Sequence, residues 1–172
     1  MRAFVSVDLE DGPAAVPVGV RAPRHLTLAF LGEIADDRVP TLVERLREAL
    51  RGVAPFAIEI AGTGAFPDPR RPRIVFARVE DGAASLAALS DRVRAALVAG
   101  RFPFDPKPFV PHLTLLRVRG PRDLPRARAL LAPTERPPPE RHAVRAVLLK
   151  ASELHPGGPV HRVVARFPLG ED

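Results

Sequence analysis

The sequence predicts an α+β protein made of two lobes. Three observations carry that reading. Short apolar runs that read as strands outnumber the helical stretches, few connections have the length and pattern of a βαβ crossover, and one four-residue phrase occurs twice. The phrase is His25-Leu26-Thr27-Leu28 and, 87 residues later, His112-Leu113-Thr114-Leu115. The separation fits a duplicated architecture in which each lobe supplies one motif strand. Outside the phrase the two halves share too little to be called a sequence repeat.

Along the chain, Arg2 to Asp8 alternates as a strand, and Arg24 to Leu31 gives the next, closed by Gly32. From Asp36 to Arg51, Leu42, Val43, Leu46, Ala49 and Leu50 recur at helical spacing, with acidic residues at the start and Gly52 after the end. Phe56 to Ile60 and Arg73 to Val79 read as strands, joined by a connection of hairpin-like composition from Gly62 to Pro72. A second helix covers Ala84 to Ala99, with Leu86, Leu89, Val93 and Leu97 on one face and Gly100 as its stop.

The order then begins again. After Pro103, Pro106, Pro108 and Pro111 comes the second motif strand, then a short helix over Leu124 to Leu131 and a proline-rich stretch from Pro133 to Pro139. Two strands close the chain, Ala143 to Leu154 and Val160 to Pro168, joined by a turn at His155-Pro156-Gly157-Gly158-Pro159. The 172 residues are enough for one bilobal domain spanning 1–172 with a substantial core.

Composition narrows the chemistry. With no cysteine, disulfides, thiolate nucleophiles and cysteine-based zinc sites are excluded. There is no His-x-x-x-His helix pair, and Gly62-Thr63-Gly64 lacks the lysine of a phosphate loop, so neither a metal nor ATP is expected. The net charge of +6 favours anionic partners, nucleic acid first. Only Lys107 and Lys150 are lysines, so the positive charge is nearly all arginine, whose fork matches phosphate oxygens; a biased genome would give the same excess. Nine Phe with no Trp or Tyr argue against an extended base-stacking platform. The absence of a leader-like N-terminal stretch or a membrane-length apolar run makes the cytoplasm the expected location.

In a strand the repeated phrase puts His and Thr on one face and two leucines on the other. Two unrelated core strands would have to spell the same word by chance, including a polar pair that is costly to bury, for the repeat to be structural. Two imidazoles with ordinary pKa near 6.5 suit a phosphodiester reaction, one taking a proton from the nucleophile and the other giving one to the leaving oxygen. Thr27 and Thr114 would donate to the phosphate oxygens, and Arg117 would supply fixed charge. Strict alternation places Arg117 opposite His112 and Thr114, so a strand end or a bulge must redirect it. His142, beside the proline-rich connector, and His155, in a turn, read as solvated surface.

These residues resemble the two-histidine (2H) phosphoesterase superfamily. The surrounding words are similar, more narrowly, to the bacterial and archaeal RNA 2′,3′-cyclic phosphodiesterases, also called 2′-5′ RNA ligases. They are Met1-Arg2-Ala3-Phe4-Val5 with Asp8-Leu9, His25 through Gly32, Pro111 through Leu115 with Arg117, and Ser152-Glu153-Leu154 through Arg166-Phe167-Pro168-Leu169. The resemblance covers almost the whole chain. It implies two pseudo-symmetric lobes of mainly antiparallel sheet, helices outside, a central cleft, and hydrolysis of an RNA terminal 2′,3′-cyclic phosphate to a 2′-phosphate without metal or cofactor. It assigns His25 as proton donor, His112 as proton acceptor, and Thr27, Thr114 and Arg117 to the phosphate. With a 5′-hydroxyl in place of water, the same site would make or break a 2′-5′ linkage. A site completed within one chain makes a monomer the expectation.

The chain departs from that pattern in two places. Family members usually carry a helix of several turns between the first strand and the first motif, where Glu10 to Pro23 is short and holds Gly12, Pro13, Pro17, Gly19 and Pro23. That leaves the outer substrate surface undefined. His161 stands where relatives commonly have an aromatic such as Tyr, and a structural or surface role is expected for it. Competing readings keep the site but change its substrate to a small cyclic nucleotide or a 2′-5′ oligonucleotide, or keep the RNA end and drop the chemistry, leaving a binding protein.

Overall fold

The computed structural model describes residues 1–9, 24–132, 138–156 and 158–171. Its elements are β1 (Arg2–Asp8), β2 (His25–Glu33), a 3-10 turn (Asp36–Arg38), α1 (Val39–Leu50), β3 (Phe56–Phe66), β4 (Ile74–Asp81), α2 (Ala83–Ala99), β5 (His112–Arg117), a second 3-10 turn (Pro121–Asp123), α3 (Leu124–Leu131), β6 (Glu140–Val144), β7 (Ala146–His155) and β8 (Gly158–Pro168). They form two four-stranded antiparallel sheets, one in the order β2-β1-β7-β8 and the other β5-β4-β3-β6. This is the α+β, two-lobed architecture that the strand pattern predicted. Each motif strand lies at the edge of its own sheet, and β2 and β5 approach each other across the junction.

The helices pack against the two sheets. α1 and α2 pack on each other and on the first sheet, and α3 packs on β3 and β4 of the second. The apolar faces read from the sequence are the buried ones, with Leu42, Leu46 and Leu50 of α1 and Leu86, Leu89, Val93 and Leu97 of α2 at or near zero exposure. They meet Val5 and Val7 of β1 and Leu26 and Leu28 of β2 in a core that also takes in Val75, Leu113 and Leu130 of the other lobe. Burying a leucine of this kind contributes about 1.5–3 kcal/mol, so the pairs of leucines in the two motifs anchor both edge strands. The buried Ser90 hydroxyl of α2 donates to the Leu28 carbonyl at 2.9 Å and ties that helix to the first motif.

Two expectations are corrected. The stretch Ala143 to Leu154 is not one strand: it breaks at Arg145, with β6 in one sheet and β7 in the other, so this short segment carries the chain between lobes. Apolar continuity concealed the break, because Val144 and Val147 are both fully buried on either side of it. The strand expected to end at Ile60 continues to Phe66, and only 67–73 turns, with Arg73 N–H donating to the Phe66 carbonyl at 2.8 Å. Gly62 lies at φ +67 beside a register shift, so the glycines that read as a loop are an irregularity inside a strand. The shortened segment Glu10 to Pro23, the first part of the proline-rich connector and Gly157 lie outside the described residues.

Candidate active site

Both motif strands carry a bulge at the same position. In the β1–β2 ladder Asp8 faces His25, Val7 faces Leu26 and Ser6 faces Thr27, after which Leu28 is the extra residue and Val5 resumes opposite Ala29. In the β4–β5 ladder Arg78 faces His112, Ala77 faces Leu113 and Phe76 faces Thr114; Leu115 is then extra and Val75 resumes opposite Leu116. The bulge shifts the phase of everything after it. Arg117 therefore pairs with Ile74, on the same face as Phe76 and Arg78, and joins His112 and Thr114 instead of opposing them. Its guanidinium acts electrostatically on both His112 and His25, which places it within reach of both motifs.

His112 is held by a backbone bond and two rings. Its Nδ1–H donates to the Val110 carbonyl at 2.6 Å, which leaves the Nε2 lone pair as the acceptor of the neutral ring. Phe66 lies edge-on at 5.1 Å and Phe76 at 5.5 Å, and these two rings stack on each other at 4.4 Å. Burial lowers its pKa below 6.5, the Val110 bond opposes the shift, and Arg117 adds to it. The stack depends on Gly64, whose hydrogen faces the Phe76 ring: a Cβ there would meet Cζ at 2.7 Å.

His25 has no comparable hydrogen bond among the described residues and is held by rings. Phe4 lies 5.2 Å away and His161 lies edge-on at 5.1 Å. Beside them, Lys150 donates to both Asp8 carboxylate oxygens at 2.6 Å, with the lysine buried in the sheet. Burial is the largest cause lowering the His25 pKa to about 4; Lys150, His161 and Arg117 push it the same way, and Asp8 opposes them. Thr27 and Thr114 are partly exposed, and no side-chain hydrogen bond within the described residues engages their hydroxyls.

All five residues singled out in the sequence thus lie along the facing edges of the two sheets. His161, expected in a structural or surface role, packs its ring on Phe4 at 4.8 Å as well as on His25. The surface reading of His142 is corrected: it is buried in β6, with Nε2 3.0 Å from a Glu140 carboxylate oxygen. His155 is exposed, at the end of β7. Sequence reasoning missed the Lys150–Asp8 pair and the three phenylalanines Phe4, Phe66 and Phe76. One signal was available for Lys150, a single charge inside the apolar run Ala146 to Ala151. Among the described residues no group of three His, Asp or Glu side chains could hold a metal ion.

A family profile for the 2′-5′ RNA ligase superfamily matches residues 15–153. The chain belongs to the 2′-5′ RNA ligase superfamily. It is a phosphoesterase, and its relatives bear this out. An RNA 2′,3′-cyclic phosphodiesterase of Methanothermobacter thermautotrophicus is 33% identical over 98% of this chain and 99% of its own length. One of Thermus thermophilus is 37% identical over 84% of this chain and 71% of its own. Among solved structures, TT0787 of Thermus thermophilus superposes with a TM-score of 0.73 at 33% identity, covering the whole of both chains. E. coli LigT complexed with 3′-AMP superposes at 0.70 over 99% of this chain and 98% of its own; at 23% identity that likeness concerns the 2′-5′ RNA ligase fold alone. No helix of the structure is long and apolar enough to cross a membrane.

Proposed function

We propose that the chain hydrolyses a terminal 2′,3′-cyclic phosphate on RNA to a 2′-phosphate, with paired histidines and without a metal ion. The observation that carries this reading is the matched pair of bulged edge strands, which turns one His and one Thr from each lobe, together with Arg117, toward the same junction. The names of the relatives support the substrate class.

His112 is the base. Its Nε2 takes a proton from water, whose oxygen attacks phosphorus opposite the 3′ oxygen, and the Val110 carbonyl stabilises the imidazolium that forms. His25 is the acid, giving its proton to the 3′ oxygen as the P–O bond breaks. One water is consumed and a 2′-phosphomonoester remains. Thr27 and Thr114 donate to the non-bridging oxygens, and Arg117 balances the charge that grows on them. With a 5′-hydroxyl as nucleophile the same protons move in the same directions and a 2′-5′ linkage results. Both halves of the site come from one chain, so it works as a monomer.

A pKa of about 4 for His25 sits awkwardly with an acid at neutral pH. The value belongs to the free site, where Lys150, His161 and Arg117 all disfavour the cation of a desolvated ring. A phosphate anion set between the motifs favours the charged imidazolium and raises both histidines, so the acid proton arrives with the substrate. The decisive experiment is incubation of a short RNA ending in 2′,3′-cyclic phosphate with the protein in EDTA. A mass gain of one water and a phosphate at the 2′ position support the reading; intact RNA, or a 3′-phosphate, rules it out.

A further inference from the structure

Each motif histidine is one corner of a three-ring cluster. His112 shares its cluster with Phe66 and Phe76, at centroid separations of 5.1, 5.5 and 4.4 Å. His25 shares its own with Phe4 and His161, at 5.2, 5.1 and 4.8 Å. The clusters match in size, and each combines two edge-on contacts with one nearer parallel, stacked at 29° in the second lobe and tilted at 35° in the first; they differ in composition. Where the second lobe closes its triangle with a phenylalanine from β3, the first closes its triangle with an imidazole from β8.

From this we infer that His161 is a positioning residue for His25, clamping it against Phe4 as Phe66 clamps His112, and that its protonation competes with His25 for the acid proton. The inference rests on the acid and base roles proposed above. A ring of that size in that place does the mechanical part whatever its charge. The charge is what distinguishes His161 from Phe66. Two imidazoles whose centres lie 5.1 Å apart, with no hydrogen bond between them, cannot both become cations without mutual cost, so they titrate as a coupled pair.

The surroundings decide which ring takes the first proton. Lys150 from β7 and Asp8 from β1 face both imidazoles, and Arg117 of β5 bears on His25 alone, across the junction. His161 is the less buried of the two, its pKa is lowered mainly by burial and then by Lys150, and His25 is lowered further. As pH falls in the free site, His161 is charged first and holds His25 neutral. Bound phosphate reverses the balance only at the ring it touches.

The test compares wild type with His161→Phe, His161→Tyr and His161→Ala, using two readouts. Titration of the histidine ring Cε1–H resonances by NMR should place the His25 midpoint higher in His161→Phe and His161→Tyr than in wild type. The limb of the kcat/KM profile on cyclic-phosphate RNA that His25 sets should move to higher pH in the same two variants. His161→Ala should lose kcat, and the ring variants should recover it. An unmoved His25 midpoint in both ring variants overturns the competition. Equal kcat in wild type and His161→Ala overturns the clamp. If wild type leaves the RNA unchanged, the proposed function falls, while the NMR midpoints still decide the coupling of the two rings.

Discussion

Replacing Gly64 by Ala should damage catalysis from a position that touches no substrate. Gly64 lies in β3 opposite Phe76, and its φ is not in the left-handed region, so the added methyl tests space alone. A Cβ there would stand 2.7 Å from Phe76 Cζ and 2.9 Å from Cε2, where ordinary contact begins at 3.4 Å, and so the ring must retreat by about 0.7 Å. Phe76 is 8% exposed, stacked on Phe66 and edge-on to His112. The displacement is therefore passed to the imidazole. Overpacking of this kind costs about 1–3 kcal/mol of stability. A misplacement approaching 1 Å at a reacting group costs on the order of tenfold to a hundredfold in rate. The assay is kcat on cyclic-phosphate RNA beside a thermal melt, with Gly120→Ala as control, since a Cβ at Gly120 meets nothing within 4 Å. A Gly64→Ala protein with wild-type kcat would refute the claim that the phenylalanine shelf positions His112.

Three further outcomes are expected. Arg117→Ala should lower kcat by about 10²- to 10³-fold with little change in melting temperature, because the side chain is exposed; a loss confined to stability would count against its phosphate role. Asp8→Asn and Lys150→Met should shift the limb of kcat/KM that His25 sets in opposite directions, down and up, because Asp8 raises and Lys150 lowers His25. Asp8→Asn should also cost stability by about 1–3 kcal/mol, since it strands the buried Lys150 ammonium while Asp8 itself is 41% exposed; equal shifts in one direction would contradict the assigned neighbours. Finally, the folded chain binds a proton at His25 less well than the unfolded one. Stability is therefore full above pH 6.5 and falls as pH drops toward 4, by about 3 kcal/mol for this group. Chemical denaturation across that range should show the slope, and His25→Asn should flatten it.

The site was legible where the chemistry repeated. His25 and His112 stand in the same word, and strand alternation is enough to put each beside its threonine. Arg117 was legible by number but not by face, because a bulge is written in the partner strand's register and not in the residues Leu115 and Leu116 themselves. Lys150 was read as composition and His161 as a structural or surface residue, because their importance comes from contacts with Asp8, Phe4 and His25, residues more than a hundred positions away along the chain. The phenylalanine shelf was hidden for the same reason: Phe66 sits where glycine and proline signalled a loop, and only the continuation of β3 brings it onto Phe76. The helices were legible throughout, since a 3.6-residue period depends on neighbours along the chain.

The proposed mechanism divides the labour between the two histidines. The most direct test uses RNA whose terminal cyclic phosphate carries sulfur in place of the 3′ bridging oxygen, a leaving group that departs without a proton. His25→Ala should be slow on the oxygen substrate, by about 10²- to 10⁴-fold, and recover most of its rate on the sulfur substrate, while His112→Ala stays slow on both. Recovery in His112→Ala instead of His25→Ala would reverse the roles, and equal deficits of both variants on both substrates would contradict the assignment of His25 as the acid.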